Sequence, residues 1–265
     1  MDDAFANRYG PYALIAGASE GIGAAFARQI AERGVNLVLV ARRAGPLDEL
    51  AAEIRSSTGV DVRTATVDLT STDVDERLAD VADGVEVGML VYNAGATHGA
   101  SDFHDEPQHI VERLVRLNCV GPVVACHRFG AAMRDRGRGG IILIGSMAGL
   151  AGCARVATYA ATKAFDQVLA EGLWRELTPR GVHVLALIAG ATDTPALARS
   201  GAKVTTEYPP MDPAEVAQEG LAHLTDGPTW FAGEGNQAGA AFFRTVERAD
   251  AVAALSAGTD ALYPR

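Results

Sequence analysis

A tyrosine, a lysine and a serine in this chain are spaced so that together they could move a proton. Tyr159 and Lys163 are four residues apart, and Ser146 precedes the tyrosine by thirteen residues. In a helix, residues four apart share one face, so the phenol and the ammonium would point into the same space. A nearby cation lowers the pKa of a phenol from its ordinary value of about 10. The trio is therefore a candidate acid–base site in which Ser146 holds a substrate oxygen, although a helix with an ordinary tyrosine and a solvated lysine has the same spacing.

The composition is typical of one large globular domain with an acidic surface. The chain has 265 residues, of which 48% are hydrophobic and 21% are charged, and its formal net charge is −10. A chain of this length can bury most of the surface that its unfolded form exposes, so we expect residues 1–265 to form a single domain. The negative charge disfavours contact with a phosphate backbone, and we expect no nucleic-acid partner.

Cysteine usage and apolar runs indicate where the protein resides. Cys119, Cys126 and Cys153 show no C-x-x-C spacing, which favours buried, reduced thiols. No apolar run reaches the roughly 18 residues of a transmembrane helix. The first residues are acidic and are not followed by the apolar run of a signal peptide. We therefore expect a cytoplasmic protein without a membrane span.

Short apolar runs alternate with helical patterns along the first two thirds of the chain. We predict strands at residues 12–15, 36–40, 62–67, 87–92, 140–144 and 182–188. We predict helices at residues 21–33, 46–57, 72–82, 107–136 and 156–178. Strands that are almost purely apolar are buried on both faces, as in a parallel sheet covered by helices. The predicted fold class is α/β, a Rossmann-type doubly wound parallel sheet of six to seven strands with helices on both faces.

The alternating pattern loosens after the sixth predicted strand. Residues 192–227 contain four prolines and several small residues, and long segments of this kind are functional lids or disordered. We interpret this segment as a substrate lid. Asp212 and Pro213 predict a helix start within it, because Asp is a favoured N-cap and Pro fits the first helical position. A seventh, edge strand is predicted at residues 229–232, and one or two terminal helices from about residue 237.

A glycine-rich turn joins the first predicted strand to the first predicted helix. Gly17, Gly21 and Gly23 have the spacing G-x-x-x-G-x-G. Glycines allow a tight turn and a close approach to a pyrophosphate, and the free N–H groups at a helix N-terminus favour an anion. Between a strand and a helix the motif predicts nucleotide binding. The alternative is an ordinary connecting turn without a ligand.

The end of the second predicted strand indicates which nucleotide binds. NAD-binding folds usually have an acidic residue there for the ribose hydroxyls, whereas an arginine suits the 2′-phosphate of NADP. This chain has Arg42 and Arg43, and its next acidic residue is Asp48. We expect NADP(H) to be preferred, with Ser19 and Arg42 reaching the phosphate and Arg43 in support. NAD(H) remains possible, and the two arginines alternatively form only a solvated turn.

Together these residues resemble the short-chain dehydrogenase/reductase family over residues 10–195. The resemblance rests on the glycine turn, Asp68-Leu69, Asn93-Ala94-Gly95, Asn118, Ser146 and the run from Tyr159 to Lys163. The Glu20 variant of the turn and residues 41–43 look like the NADP-preferring carbonyl reductases of this family.

The family's roles carry over to the matching positions. The resemblance implies that Tyr159 is the catalytic acid or base and that Lys163 lowers its pKa and binds the nicotinamide ribose. Ser146 would hold the carbonyl oxygen, and Asn118 would anchor a water in a proton relay. The candidate cofactor contacts are Gly17, Ser19, Glu20, Gly21, Ile22, Gly23, Arg42, Arg43, Asp68, Leu69, Asn93, Ala94, Gly95, Tyr159, Lys163, Gly190, Thr192 and Thr194.

Several of these positions have a second interpretation or depart from the family's pattern. Thr192 and Thr194 are candidates for contacts to the carboxamide and a phosphate, or they are helix-cap threonines. The family usually has threonine at Ala16 and asparagine at Tyr92, and these replacements affect local hydrogen bonds. After the sixth predicted strand, this chain has Ala189-Gly190 where the family usually has Pro-Gly, in the loop expected beside the nicotinamide. Asp68 and Leu69 contact the adenine edge, or the aspartate only caps a helix.

The expected function is an NADP(H)-dependent oxidoreductase that interconverts a ketone or aldehyde and an alcohol by hydride transfer, with Tyr159 as acid and base. The lid and the loop at residues 96–107 suggest a hydrophobic small-molecule substrate, such as a lipid-like, steroid or aromatic ketone. The alternatives are a non-catalytic NADP-binding or regulatory protein on the same fold and an NAD-dependent alcohol dehydrogenase. In relatives the long helices pack between subunits, so the resemblance implies a homodimer or homotetramer. His98, His104 and His109 have no ligand partners at metal-binding spacing, and we expect no metal.

Overall fold

Parallel strands form one sheet in the order β3-β2-β1-β4-β5-β6-β7 within residues 3–97, 99–204 and 209–265, which the computed structural model describes. The strands are β1 (Tyr12–Ala16), β2 (Asn36–Ala41), β3 (Val62–Thr66), β4 (Val87–Tyr92), β5 (Gly139–Ser146), β6 (Val182–Ala189) and β7 (Thr229–Phe231). Every predicted strand is present, with ends within two residues of those expected. The structure therefore confirms the single-domain, doubly wound α/β fold.

Helices cover both faces of the sheet. They are α1 (Asp3–Tyr9), α2 (Gly21–Glu32), α3 (Ala44–Thr58), α4 (Val74–Val81), α5 (Gln108–Val115), α6 (Gly121–Arg136), α7 (Ala157–Leu177), α8 (Pro195–Arg199), α9 (Pro213–Ala222), α10 (Glu234–Phe243) and α11 (Arg248–Leu262). Among the described helices, none has the length and apolar character needed to cross a bilayer.

The sheet separates two hydrophobic cores, and neighbouring strand residues contribute to opposite ones. On β1, Ile15 belongs to the core that contains Phe26 of α2. Its neighbour Leu14 belongs to the core that contains Phe129 and Met133 of α6. Because side chains alternate across a strand, both faces must be apolar. This double burial explains the near-continuous apolar runs in the sequence.

The helix predicted at residues 107–136 is broken, which corrects the sequence prediction. A π-helical segment, Arg116–Val120, separates α5 from α6. In this segment the Gly121 N–H donates to the Arg116 carbonyl, five residues back. Pro122 follows and has no N–H to continue the regular pattern. The interruption lies at Asn118, and π-helical turns of this kind are frequent at functional sites.

The first helix, α1, was not predicted. It is seven residues long and has little apolar periodicity. Tyr9 nevertheless is 6% exposed, and its hydroxyl lies 2.7 Å from His183 Nδ1 at the start of β6. Phe5 packs against the Tyr9 ring at 4.7 Å. Contacts to residues far along the chain therefore stabilise a helix that its local sequence does not indicate.

Backbone hydrogen bonds join residues 191–193, at the start of the predicted lid segment, to Met211. The Asp193 N–H donates to the Met211 carbonyl at 2.9 Å, and the Met211 N–H donates to the Ala191 carbonyl at 3.0 Å. Asp212 is the N-cap of α9, as predicted, and its carboxylate accepts a hydrogen bond from the Ala214 N–H at 2.7 Å. Helix α8 forms the first part of the segment, and residues 205–208 lie outside the described residues.

Candidate active site

The turn between β1 and α2 approaches the loop after β4 so closely that glycine is required. Gly17 has a positive φ of 82°, and a Cβ there would lie 2.7 Å from the Ala94 backbone. A Cβ at Gly23 would lie 2.2 Å from the Gly17 carbonyl oxygen, which accepts a hydrogen bond from Asn93 Nδ2 at 2.8 Å. The turn therefore presents bare backbone at the N-terminus of α2, where N–H groups and the helix dipole favour a pyrophosphate. These residues fit a nicotinamide dinucleotide.

This glycine turn lies where the order of the strands reverses. Strand β1 pairs with β2 on one side and with β4 on the other. In open α/β sheets, ligands bind outside the carboxyl ends of the strands at such a point. The loops after β1, β4 and β6 and the end of β5 carry several of the predicted cofactor and catalytic residues, and others follow β2 and β3 or lie on α7. The topology therefore gathers these residues around one crevice.

Glu20, which precedes α2, forms ion pairs with two arginines. Its carboxylate accepts hydrogen bonds from Arg43, after β2, and from Arg199, at the end of α8. Partial burial by itself would raise the Glu20 pKa, but the two guanidinium groups hold it below its usual value. The contact with Arg199 connects the predicted lid to the glycine turn. The spacing of the sequence does not indicate the contact with Arg199, because the two residues are 179 positions apart.

Arg42 is exposed at the end of β2 and lies near the Asp68 carboxylate. That carboxylate accepts hydrogen bonds from Thr70 N at 3.0 Å and Thr70 Oγ1 at 2.8 Å, and it lies 3.4 Å from Arg113. Burial opposes ionisation of Asp68, but these hydrogen bonds and the two arginines lower its pKa. Asp68 thus caps the turn at Thr70, whereas Asp73 is the residue that precedes α4.

Ser146 is the last residue of β5 and lies at the carboxyl edge of the sheet. Its Oγ accepts a hydrogen bond from the Ala148 N–H at 3.2 Å, which caps the short 3₁₀ turn Met147–Leu150. A hydroxyl that accepts one hydrogen bond can still donate its own hydrogen. Ser146 is therefore fixed by the turn and free to donate to a substrate oxygen.

Tyr159 and Lys163 lie one turn apart on α7, as predicted. The Lys163 side chain is 7% exposed, and its Nζ donates to the Ile144 carbonyl at 2.8 Å and to Asp166 Oδ2 at 2.9 Å. Ile144 is two residues before Ser146, so the lysine is held against the strand that carries the serine. Burial by itself would lower the Lys163 pKa, but the Asp166 carboxylate and, after it, Tyr159 raise the pKa above its usual value.

The side chain of Asn118 links the loop after β4 to helix α7 through hydrogen bonds. Its Oδ1 accepts from the Ala96 N–H at 3.2 Å, and its Nδ2 donates to the Ala96 carbonyl at 3.2 Å and to Thr162 Oγ1 at 3.0 Å. The amide is therefore engaged by the protein. The main-chain carbonyl of Asn118 lacks its regular helical donor, because Pro122 has no N–H. A water relay at Asn118 stays a prediction, and this carbonyl is the group suited to it.

The loop formed by Asn93, Ala94 and Gly95 runs close to two of the predicted catalytic residues. A Cβ at Gly95 would lie 3.3 Å from Lys163 Nζ and 3.6 Å from Asn118 Oδ1. Lys163 and Asn118 are therefore neighbours beneath this loop. The predicted cofactor loop therefore adjoins two of the predicted proton-transfer residues.

The loop after β6 contains three further predicted cofactor residues. Thr192 is 6% exposed, and its Oγ1 donates to the Gly190 carbonyl at 3.2 Å. Thr194 is the N-cap of α8 and accepts a hydrogen bond from the Leu197 N–H at 3.1 Å. Its methyl group lies against Gly21, where a Cβ would approach to 2.8 Å. The helix-cap interpretation thus holds for Thr194, and cofactor contacts of both threonines stay predictions.

The remaining predicted cofactor residues lie around the same crevice. Ser19 and Ile22 are partly exposed in the glycine turn, and Leu69 is buried behind the loop after β3. Their contacts with a cofactor stay predictions. Sequence reasoning missed Asp166 and Arg199. A polar residue on a long helix gives no sign of being buried, and the ion pair with Arg199 joins distant segments.

No group of three or more His, Cys, Asp or Glu side chains is placed to hold a metal ion within the described ranges. His104, in the loop after β4, packs edge-on against Phe103 with ring centroids 5.2 Å apart. His98 lies outside the described residues.

Comparisons with known proteins identify the family of this chain. A family model described as short chain dehydrogenase matches residues 11–205. The 7beta-hydroxysteroid dehydrogenase of Clostridium sardiniense is 32% identical over 252 residues, which cover 95% of this chain and 96% of that protein.

Solved structures show the same likeness. A structure from a study of 7beta-hydroxysteroid dehydrogenase stereoselectivity has a TM-score of 0.89 and 26% identity, covering 95% of this chain and 98% of that one. A short-chain dehydrogenase from Sphingobium yanoikuyae in complex with NADPH has a TM-score of 0.78 and 32% identity, covering 90% and 97%. The present chain belongs to the short-chain dehydrogenase/reductase family, whose members bind nicotinamide cofactors, and it is an oxidoreductase that acts on hydroxyl or keto groups.

Proposed function

We propose that the protein is an NADP(H)-dependent oxidoreductase that interconverts a ketone or aldehyde and the corresponding alcohol, with Tyr159 as the acid and base. The observation that carries the proposal is the placement of Lys163. Its ammonium is buried, is held by β5 and lies one helical turn from Tyr159. A fixed cation beside a phenol eases the loss of its proton, which an acid–base group must undergo in each catalytic cycle.

The chain's own residues supply position and proton flow. When bound, NADPH supplies the hydride for carbonyl reduction. Ser146 donates a hydrogen bond to the substrate oxygen, and Tyr159 gives its proton to that oxygen as negative charge develops there. Lys163 keeps a positive charge beside the phenol. The main-chain carbonyl of Asn118 holds a water through which Tyr159 regains a proton.

Replacement of Tyr159 by phenylalanine tests the acid–base role. Tyr159→Phe removes the proton but keeps the ring, so turnover should be abolished while NADPH affinity stays nearly unchanged. Turnover is followed by NADPH oxidation with a panel of ketones, and affinity by nicotinamide fluorescence. A variant that keeps most of its activity contradicts the mechanism. If the wild-type protein binds NADPH tightly but turns over none of the ketones in the panel, a non-catalytic NADP-binding protein is favoured instead.

A preference for NADP(H) is proposed from the charges at the end of β2. Arg42 is exposed there and no acidic residue follows before Asp48. A related protein is described in complex with NADPH. A thermal-shift titration with both cofactors tests the preference, because a ligand at about 100 times its Kd stabilises a protein by about 2.7 kcal/mol. A larger shift with NADH would favour an NAD-dependent alcohol dehydrogenase.

A bulky, hydrophobic ketone or alcohol of steroid-like size is the proposed substrate class. Phe103 and Phe242 are each 52% exposed, one in the loop after β4 and one on α10. Helix α10 borders the site, since a Cβ at Gly239 would lie 3.1 Å from Met147, which follows Ser146. The likeness to a hydroxysteroid dehydrogenase supports the same class.

Residues 192–227 would act as the lid over this substrate. A panel of hydroxysteroids and short-chain alcohols distinguishes the size classes. We expect Phe242→Ala to raise KM for the large substrates only. Faster turnover of short-chain alcohols by the wild type would contradict the assignment.

For the outer faces of α6 and α7, the partner that we propose is a second copy of this chain. Val123, Phe165 and Val168 expose 41%, 38% and 67% of their surface there. Large exposed apolar side chains grouped on one side of a protein mark interaction surfaces. Light scattering should give a multiple of the 27.6 kDa chain mass, and Val168→Asp should shift it towards one chain. A monomeric wild type contradicts this assembly.

A cytoplasmic location is proposed from the thiols. Cys119, Cys126 and Cys153 are all free, as is usual in a reducing compartment. Cell fractionation with an antibody tests the location, and recovery from an oxidising compartment would contradict it.

A further inference from the structure

A buried aspartate lies directly beside the lysine of the active site. Asp166 is one turn beyond Lys163 on α7, and its side chain is 5% exposed. Its Oδ2 accepts a hydrogen bond from Lys163 Nζ at 2.9 Å. Its Oδ1 is buried and has no hydrogen-bond partner among the described residues. A buried carboxylate oxygen without a hydrogen bond costs stability, so the burial of this charged group calls for an explanation.

Among the two acceptors that bind the Lys163 ammonium, Asp166 is the one that carries a charge. An ammonium has three N–H donors. One is taken by the Ile144 carbonyl and one by Asp166, so one N–H remains for another partner. A carbonyl is a neutral acceptor and cannot balance a buried positive charge, whereas a carboxylate can.

The other titratable groups around Asp166 stay neutral. Burial raises the pKa of Cys119 to about 11 and that of Cys126 to about 12, with the Asp166 charge adding to both shifts. Burial, with the same carboxylate, also raises the pKa of the Tyr92 phenol on β4. Burial also raises the pKa of Asp166 itself, and the Lys163 ammonium and its hydrogen bond oppose that rise. Lys163 is therefore the countercharge of Asp166 among the described residues packed around it.

We propose that Asp166 is a positioning residue, the counter-ion that keeps Lys163 protonated and directs its remaining N–H towards Tyr159. The inference rests on the acid–base function proposed above for Tyr159. Without the carboxylate, the buried ammonium would lose its proton at a lower pH and could turn away from the phenol. The enzyme would then lose activity progressively as the pH rises.

The sequence makes a direct test possible, because the chain has two lysines, Lys163 and the exposed Lys203. Protein labelled with ¹³Cε-lysine gives one resonance for each, and Lys203→Arg assigns them. In the wild type we expect the Lys163 resonance to change only at strongly alkaline pH, because, against the effect of burial, Asp166 and then Tyr159 raise the Lys163 pKa above its usual value. In Asp166→Asn the resonance should change at a lower pH. This measurement needs no substrate, and the same Lys163 titration in wild type and Asp166→Asn overturns the inference.

The pH dependence of turnover provides a second test. Asp166→Asn should lower kcat, and its deficit relative to wild type should grow as the pH rises from 6 to 9, because the variant loses the Lys163 proton at a lower pH than the wild type does. A merely structural role would reduce kcat by the same factor at every pH. Glu176→Gln removes an exposed carboxylate from the same helix and should leave the profile unchanged.

The two proposals fail in different ways. If Tyr159→Phe is inactive but the Asp166→Asn deficit does not vary with pH, the role of Asp166 is wrong and the acid–base function stands. If Tyr159→Phe remains active, the acid–base function is wrong, and the lysine titration still decides whether Asp166 keeps Lys163 protonated.

Discussion

The Arg155 guanidinium donates a hydrogen bond to Asp260 Oδ1 at 2.8 Å, and this contact joins the loop before Tyr159 to the end of α11. The same nitrogen donates to the Tyr263 carbonyl at 2.7 Å. The Arg155 carbonyl accepts from the Ser101 N–H at 2.9 Å in the loop after β4. One residue therefore connects three segments that surround the site.

Arg155 also has a φ of +64°, which is uncommon for a residue with a side chain. Arg155→Ala and Arg155→Gly both lose the guanidinium contacts, but alanine alone keeps a Cβ in this left-handed conformation, at a cost of about 1–2 kcal/mol. We expect the glycine variant to be at least as stable as the alanine variant, which reverses the usual order. Urea unfolding measures both.

Asp260→Ala is the matched control for this prediction. Asp260 is 60% exposed, so its loss should cost less than about 1 kcal/mol. A more stable alanine than glycine variant at position 155 would show that the backbone conformation carries no strain.

The frame of the fold could be predicted from the sequence because it depends on local patterns. Apolar strands, the G-x-x-x-G-x-G turn and the N-cap at Asp212 each follow from short-range chemistry. The spacing of Tyr159 and Lys163 on one helix likewise needs no tertiary information. These features define the sheet, its carboxyl edge and the residues gathered there.

The features that could not be predicted depend on contacts between distant segments. Helix α1 is stabilised through Tyr9 and His183, 174 residues apart. The burial of Asp166 results from the packing of α7 against β5, and an aspartate on a helix is ordinarily exposed. The π-helical break at Asn118 was missed although Pro122 lies in the sequence, because proline is also accepted in the first turn of a helix.

Arg42→Ala tests the cofactor preference. A charge-assisted hydrogen bond contributes about 1.5–3 kcal/mol, so NADPH affinity should fall by about 10- to 100-fold while NADH affinity changes little. Fluorescence titration measures both constants. Arg43→Ala should have a smaller effect, because Arg43 is already paired with Glu20.

Arg128→Ala is the control for the change in net charge. Arg128 of α6 pairs with Asp75 of α4. These two helices pack on the face of the sheet opposite α2, which follows the glycine turn. Equal losses of NADPH and NADH affinity in Arg42→Ala would remove the argument for a 2′-phosphate contact.

The Tyr92 hydroxyl lies so close to Gly121 that a larger residue at position 121 would collide with it. The Tyr92 hydroxyl donates to the Leu117 carbonyl at 2.8 Å, and a Cβ at Gly121 would lie 2.0 Å from that hydroxyl. Gly121→Ala should cost about 1–3 kcal/mol through overpacking. Tyr92→Phe should cost about 1–3 kcal/mol because it leaves a buried carbonyl without its donor.

The double variant decides whether the two residues are coupled. Phenylalanine removes the oxygen that the alanine would meet, so Tyr92→Phe with Gly121→Ala should cost less than the sum of the single changes. Urea unfolding of all four proteins gives the coupling energy. Strict additivity would mean that the backbone at Gly121 moves away without cost.

His183 should make stability depend on pH. Burial, with the nearby Arg8 charge, lowers the His183 pKa, and burial raises the Tyr9 pKa to about 12, so the phenol donates to a neutral imidazole. The unfolded chain therefore binds a proton more readily than the folded one, and stability falls as the pH drops below about 6.5. His183→Phe should flatten the fall in the urea midpoint between about pH 7 and pH 5, whereas His104→Asn, at an exposed position, should not. Equal slopes in wild type and His183→Phe would mean that other groups cause the acid sensitivity.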